Sequence, residues 1–171
     1  MKKSKVIIGL SNPKSPTNVG SVMRAAGCYA VDDVFYTGQR YERAMKFNTD
    51  TRNASQNIAL IGVEALLDDI PNDVTVVCVE LVEGAVPLPE YQHPGNAFYI
   101  FGPEDGNISQ DLIDQADDVV YIPTIGCMNL AATVNVVLYD RMAKSELSIS
   151  SDDLVRASRD TNNRLRVKPL E

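Results

Sequence analysis

Short, continuous apolar runs alternate along this chain with stretches whose apolar residues recur every three or four positions. The runs are Val6–Leu10, Val34–Thr37, Val74–Leu81, Ala97–Phe101 and Val119–Ile122, each rich in Val, Ile, Phe or Tyr. Apolar runs without alternation mark strands covered on both faces. Between them, Val19, Val22, Met23 and Ala26 keep the i, i+3, i+4, i+7 spacing of one helix face. Ile58, Ile61, Ala65 and Leu66 form a similar stripe, and Leu130, Val134, Val137 and Leu138 a third. Strand–helix alternation predicts an α/β fold with a largely parallel sheet flanked by helices. From about Ser148 the chain is polar and basic, and it reads as a short helix followed by an exposed tail ending RLRVKPLE. The expected organisation is one domain over 1–147 and a basic C-terminal extension over 148–171.

Composition narrows the class. With 171 residues, 44% apolar and 23% charged, the chain has the balance of a globular domain. A chain of this length buries roughly 70% of its unfolded surface and needs neither disulfides nor a metal to hold a core. No apolar run approaches the ~18 residues of a membrane span, and Val6–Leu10 is too short for the apolar part of a secretory signal. Three cysteines, Cys28, Cys78 and Cys127, with no C-x-x-C spacing, read as reduced thiols of a cytoplasmic protein.

Charge is divided unevenly. Residues 1–46 carry eight Lys/Arg against three Asp/Glu, residues 47–140 one Arg against fifteen acids, and residues 141–171 seven bases against five acids. A formal charge of −7 argues against an indiscriminate nucleic-acid binder but leaves room for one that grips with its two ends.

In open α/β sheets, ligands bind in the loops that follow strand carboxyl ends, and three such loops stand out. The first, LSNPKSPTNVGSVMRAAG, offers Asn18 as a helix N-cap and places Gly20, Arg24 and Gly27 on one helix face. Two flanking glycines leave open space around the Arg24 guanidinium. The second, FGPEDGNIS, puts Gly102 at a strand end, the acids Glu104 and Asp105 at the loop tip, and Ser109 as cap of a helix from about Gln110. Adjacent acids suggest a metal or an acid/base pair, but no His or Cys lies nearby to complete a ligand set, and no metal is expected. The third, YIPTIGCMNLAATVNVVLYD, turns at Gly126 and enters a long apolar helix with Asn129 at its mouth. The dinucleotide fingerprint G-x-G-x-x-G, the P-loop, H-E-x-x-H and G-x-S-x-G are all missing. The single His93, in the turn-like QHPGN, reads as a surface loop residue.

Together the three loops resemble the three motifs of the SpoU (TrmH) class of SPOUT RNA methyltransferases. The N-x-G-x-x-x-R motif is matched by Asn18-Val-Gly20-Ser-Val-Met-Arg24, and a strand followed by F-G-x-E-x-x-G by Phe101-Gly102-Pro-Glu104-Asp-Gly-Asn, where Asn107 stands in place of the last glycine. The I-P segment leading to S-[LM]-N and a helix ending L-Y-[ED] appears as Ile122-Pro123, Cys127-Met128-Asn129 and Leu138-Tyr139-Asp140. The match runs in order over about residues 5–145.

That resemblance implies an α/β knot fold with a deep C-terminal trefoil knot, S-adenosyl-L-methionine as methyl donor, RNA as substrate and a homodimer. The usual acceptor is a ribose 2′-hydroxyl, with tRNA preferred over rRNA for so compact an enzyme. By motif, the cofactor positions are Glu80, Leu81, Gly102, Ile122, Cys127, Met128 and Leu130. The catalytic positions are Arg24, Asn18, Glu104 and Asn129. A guanidinium normally stays protonated, so Arg24 is expected to stabilise a developing alkoxide and bind the adjacent phosphate rather than act as a base. Asn18 and Asn129 would orient Arg24 and the ribose, and Glu104 would anchor the site. Cys127 departs from the serine of many members, and a thiol is a poorer hydrogen-bonding group than a hydroxyl. One alternative is a non-catalytic RNA-binding protein that keeps the fold. Another is a transferase for base nitrogens or protein, using a carboxylate base.

Overall fold

The computed structural model describes residues 4–45, 58–68, 70–145 and 151–168. Seven strands form one sheet: β1 Val6–Leu10, β2 Asp33–Tyr36, β3 Ala59–Gly62, β4 Thr75–Val79, β5 Val86–Pro87, β6 Ala97–Phe101 and β7 Asp118–Tyr121. Their spatial order is β3-β2-β1-β6-β4-β7-β5, and every pairing is parallel. The helices are α1 Pro16–Cys28, α2 Arg40–Met45, α3 Gln110–Gln115, α4 Leu130–Ala143 and α5 Asp152–Ser158, with a 3₁₀ turn at Leu88–Glu90.

The apolar runs are continuous because each strand serves two cores. Val6, Ile8 and Leu10 of β1 join Ala97, Tyr99 and Phe101 of β6 beneath α1 and α4. The residues between them, Ile7, Phe98 and Ile100, join Val76, Cys78 and Ile108 in a second cluster against which Leu112 and Ile113 of α3 pack. The helix stripes behave as their spacing predicts: Val19, Val22, Met23 and Ala26 of α1 are buried, as are Leu130, Val134, Val137 and Leu138 of α4. Each of the Val, Leu and Met side chains among them contributes roughly 1.5–3 kcal/mol of apolar burial. Gly9 is held to its identity by this packing, since a Cβ there would lie 2.7 Å from the Phe98 ring.

Three expectations are corrected. The stripe at Ile58, Ile61, Ala65 and Leu66 is not a helix: Ala59–Gly62 forms the edge strand β3, paired with Asp33–Tyr36. Its few apolar residues satisfy both periods, and non-local pairing with β2 decides between them. Asn18 does not cap α1. Ser15 does, accepting from the Asn18 N–H at 3.3 Å, because Pro16 has the backbone angle of a first helical residue. His93 is not a surface residue, because its side chain is only 4% exposed. Tyr99 and Asp140, brought over the ring by β6 and α4, hydrogen-bond its two nitrogens at 2.6 and 2.9 Å.

The short helix expected in the tail is α5, capped by Ser151 and with every residue exposed. No helix among the described residues is long and apolar enough to cross a membrane.

Candidate active site

Strands β1, β6, β4 and β7 are consecutive neighbours, so the loops leaving their carboxyl ends gather at one edge of the sheet. There they enclose a cavity of about 400 Å³, within the range that small-molecule ligands occupy. Val79, Glu80 and Leu81 line it after β4, Phe101, Gly102, Pro103, Glu104, Gly106 and Asn107 after β6, and Tyr121, Ile122, Thr124, Cys127, Met128, Asn129, Leu130 and Thr133 after β7. All seven residues assigned to the cofactor by motif are on this wall, as are Glu104 and Asn129.

Internal bonds shape the wall. Glu80 follows the last residue of β4, and its carboxylate accepts from the N–H groups of Leu81 and Ile108, each at 2.9 Å. That bond draws the β6–α3 loop over the end of β4. It depends on Gly102, where a Cβ would stand 3.1 Å from Glu80 Oε2 and 3.1 Å from the Ile108 nitrogen. Gly102 is thus required for packing. Asn129 caps α4, accepting from the Ala132 N–H at 2.8 Å. The turn before it is held by Thr124, whose hydroxyl donates to the Gly126 carbonyl at 2.7 Å.

Glu104 ties the second loop to the first. Its carboxylate accepts from the Lys14 N–H at 2.8 Å, the Ser15 N–H at 2.9 Å and the Asn18 amide at 3.1 Å. Partial burial raises the affinity of this carboxyl for a proton. The Ser15 and Lys14 donors, its own N–H and Asn18 outweigh that, leaving its pKa below the usual value. Beside it, Asp105 is held by Arg40 and Lys14.

Arg24 is exposed on α1, and its guanidinium reaches no described residue by hydrogen bond or ion pair. Gly20 and Gly27 leave empty space beside it, as their spacing implied. Neither Arg24 nor Asn18 lines the cavity, and Asn18 is engaged with Glu104 rather than with Arg24. The three cysteines are unpaired, with Cys127 exposed at the cavity wall. Among the described residues, no group of three His, Cys, Asp or Glu could hold a metal ion. Sequence reasoning missed Lys14, Ser15 and Arg40 as partners of the Glu104–Asp105 pair. The lateral order β2-β1-β6 brings them together.

A parallel α/β sheet with a ligand-sized cavity at its carboxyl edge, walled by the loops that follow β4, β6 and β7, is an architecture shared by many solved structures. The A. aeolicus TrmH/SpoU tRNA modifying enzyme superposes with a TM-score of 0.66 at 16% identity, covering 82% of this chain and 75% of that one. A structure concerned with the 2-OH methylation of C/U34 on tRNA gives 0.64 at 21% identity, covering 82% and 95%. The SpoU methyltransferase AviRb from Streptomyces viridochromogenes in complex with AdoMet gives 0.65 at 17%, covering 84% and 58%. A search of curated protein sequences returned no match. The model of the SpoU rRNA Methylase family matches residues 5–139, and the chain belongs to that family. It is therefore a member of a family of RNA methylases, and the ligand named for the AviRb neighbour is AdoMet.

Proposed function

We propose that this chain methylates a ribose 2′-hydroxyl of RNA, with tRNA the favoured substrate, as a cytoplasmic homodimer. The observation that carries the reading is the convergence of Glu80, Leu81, Gly102, Ile122, Cys127, Met128 and Leu130 on one cavity. The wall suits the donor in size and in chemistry. Leu81, Ile122, Met128 and Leu130 offer apolar surface, while Glu80, Asn129 and the loop backbones offer hydrogen bonds. When bound, S-adenosylmethionine supplies an electrophilic methyl group on a sulfonium.

The chain's own residues do the rest. Glu104 fixes the first loop against the second, so α1 starts from a defined place. Arg24, whose guanidinium has no partner among the described residues, stabilises the alkoxide that develops as the ribose hydroxyl gives its proton to water, and it holds the neighbouring phosphate. Asn129 fixes the first turn of α4 at the cavity wall. Because Arg24 does not line the cavity of its own chain, a second copy that brings the two together is part of the reading. Val136 and Tyr139 on the outer side of α4 are exposed apolar candidates for that contact. Three free thiols support a reducing, cytoplasmic setting. The trefoil threading implied by the motifs belongs to the same reading.

Labelled methyl transfer from S-adenosylmethionine to size-fractionated cellular RNA, followed by digestion to nucleosides, tests it. A 2′-O-methylated nucleoside in the tRNA fraction, lost in Arg24→Ala, is the expected result. Cofactor binding with a methylated base instead would overturn the ribose assignment. Absence of both transfer and cofactor binding would favour a non-catalytic RNA-binding protein, the reading that the Cys127 thiol supports.

A further inference from the structure

Among the described residues the cavity wall contains no Lys or Arg, and its two charged side chains, Glu80 and Glu104, are both acidic. Residues 47–140, which supply the wall, hold one base against fifteen acids. A polyanion approaching this edge therefore depends on cations carried in by neighbouring segments. Two of them converge at the rim. Asp105 lies between the wall residues Glu104 and Gly106, and its carboxylate collects Lys14 from the β1–α1 loop and Arg40 from the start of α2. One guanidinium nitrogen of Arg40, Nη2, donates to both carboxylate oxygens at 2.8 Å, and Lys14 Nζ reaches Oδ2 at 3.4 Å.

Three features set this cluster apart from an ordinary surface ion pair. Lys14 and Arg40 touch the same oxygen, so they already surround a space that fits a small oxyanion. Arg40 spends a single nitrogen on Asp105, and the rest of its planar fork donates to no described residue, although that fork suits bidentate recognition of phosphate. The backbone beneath Lys14 is pinned by Glu104, so the cluster has a fixed place relative to the cavity. Asp105 itself is half exposed, and leaving the cations for water costs it little.

We propose that Lys14 and Arg40 bind an RNA backbone phosphate beside the target nucleotide, and that Asp105 occupies this phosphate site in the free protein and is displaced when RNA docks. The inference rests on the reading of the cavity as an RNA methyltransferase site and adds to it an internal competitor for the substrate. Asp105 lowers non-specific affinity, so only RNA that also fills the cavity mouth displaces it.

The test uses the full chain and a pool of unmodified tRNA and ribosomal RNA transcripts. RNA affinity is measured over a range of salt concentrations for wild type, Asp105→Asn, Lys14→Ala, Arg40→Ala and the Asp105→Asn/Arg40→Ala pair. S-adenosylmethionine affinity is measured in parallel as the control for folding. Asp105→Asn is expected to bind RNA about threefold to fivefold more tightly at low salt, the worth of one exposed ion pair. Lys14→Ala and Arg40→Ala should bind more weakly, each flattening the salt dependence by ~0.7–0.9 of a logarithmic unit per unit of log salt. The gain from Asp105→Asn should shrink when Arg40 is also removed. If wild type binds and methylates the RNA but Asp105→Asn binds it no more tightly, Asp105 is only a loop fastening and the inference falls while the reading of the cavity stands. If wild type neither binds nor methylates the pool, both fall together.

Discussion

The Asn18 amide donates to the Glu104 carboxylate at 3.1 Å across 86 residues of sequence, joining the first and second motif loops directly. With the N–H groups of Lys14 and Ser15 on the same carboxylate, Glu104 is an acceptor for three donors from one loop. Glutamine cannot replace it, because its amide would turn a donor toward one of them. Glu104→Gln is expected to destabilise the fold by about 1–3 kcal/mol, the cost of an unmet hydrogen bond near a charged group, and to reduce methyl transfer. Denaturant titration and initial rates check both effects, and an unchanged denaturation midpoint would contradict the fastening role.

Glu104 also makes a prediction about pH. Its folded-state pKa lies below the usual 4.5, so its stabilising contribution is complete above that value and is lost only as pH falls through the lower folded one. Between pH 6 and 9 the carboxylate stays ionised, and the pH profile of transfer should show no acidic limb from this residue. A limb near neutrality that vanishes in Glu104→Gln would instead make Glu104 the proton acceptor, the arrangement suited to a base-nitrogen substrate.

Cys127 stands at the cavity wall, exposed. Its thiol is a weak donor and a weak acceptor. If its side chain faces the cofactor, Cys127→Ser exchanges it for a hydroxyl of smaller size with two good lone pairs. The expected outcome is a threefold to tenfold gain in S-adenosylmethionine affinity, about 0.5–1.5 kcal/mol for one added hydrogen bond. Equilibrium binding of the cofactor decides it. A loss of affinity would show that the cofactor is held there by sulfur packing or backbone alone.

How far the sequence revealed this molecule follows from the range of the forces involved. Strands β1 and β6 were legible because both faces are buried, which leaves five apolar residues in a row with no polar interruption. The α1 and α4 faces were legible because their period persists over several turns. Ile58–Leu66 misled because so short a run fits either period, and its partner strand lies at Asp33–Tyr36. His93 misled for a related reason. A His-Pro-Gly turn describes local backbone, whereas Tyr99 and Asp140, which close over the ring, depend on the placement of β6 and α4. The cavity positions could be named from motif loops, since each follows a strand carboxyl end. The Lys14–Asp105–Arg40 cluster could not, because it exists only once β2, β1 and β6 lie side by side.

Gly9 shows how tightly one such adjacency is packed. A Cβ at this position would lie 2.7 and 2.8 Å from two carbons of the Phe98 ring and 3.3 Å from Leu66 Cδ1. Gly9→Ala is expected to cost about 1–3 kcal/mol through overpacking. Adding Phe98→Leu, which removes the opposing ring, should recover part of that loss relative to the sum of the single changes. A double-mutant cycle by denaturant unfolding measures the coupling, and strict additivity would place the strain elsewhere.

The half-buried polar cluster at the far end of α4 carries the last prediction. Arg141 Nη1 donates to Tyr99 Oη at 3.1 Å, which leaves the Tyr99 hydrogen to bond His93 Nδ1 and places the imidazole proton on Nε2, facing Asp140. Lys144 pairs with the same Asp140 at 2.7 Å, and Tyr91 packs edge-on against the ring. Burial is the main force lowering the His93 pKa; Asp140 opposes it, and Arg141 and Lys144 reinforce it. A histidine held neutral in this way contributes fully above its unfolded value, near 6.5, and its contribution is lost as pH falls toward the lower folded value. Stability should therefore decline below pH 6.5 with a slope of at most ~1.4 kcal/mol per pH unit from this one proton. His93→Gln should be less stable at pH 7.5 and lack that component of the slope. Denaturant unfolding at half-unit steps from pH 7.5 to 5 separates the two proteins. Parallel curves would mean that the decline comes from carboxylates, and that His93 is already charged within the cluster.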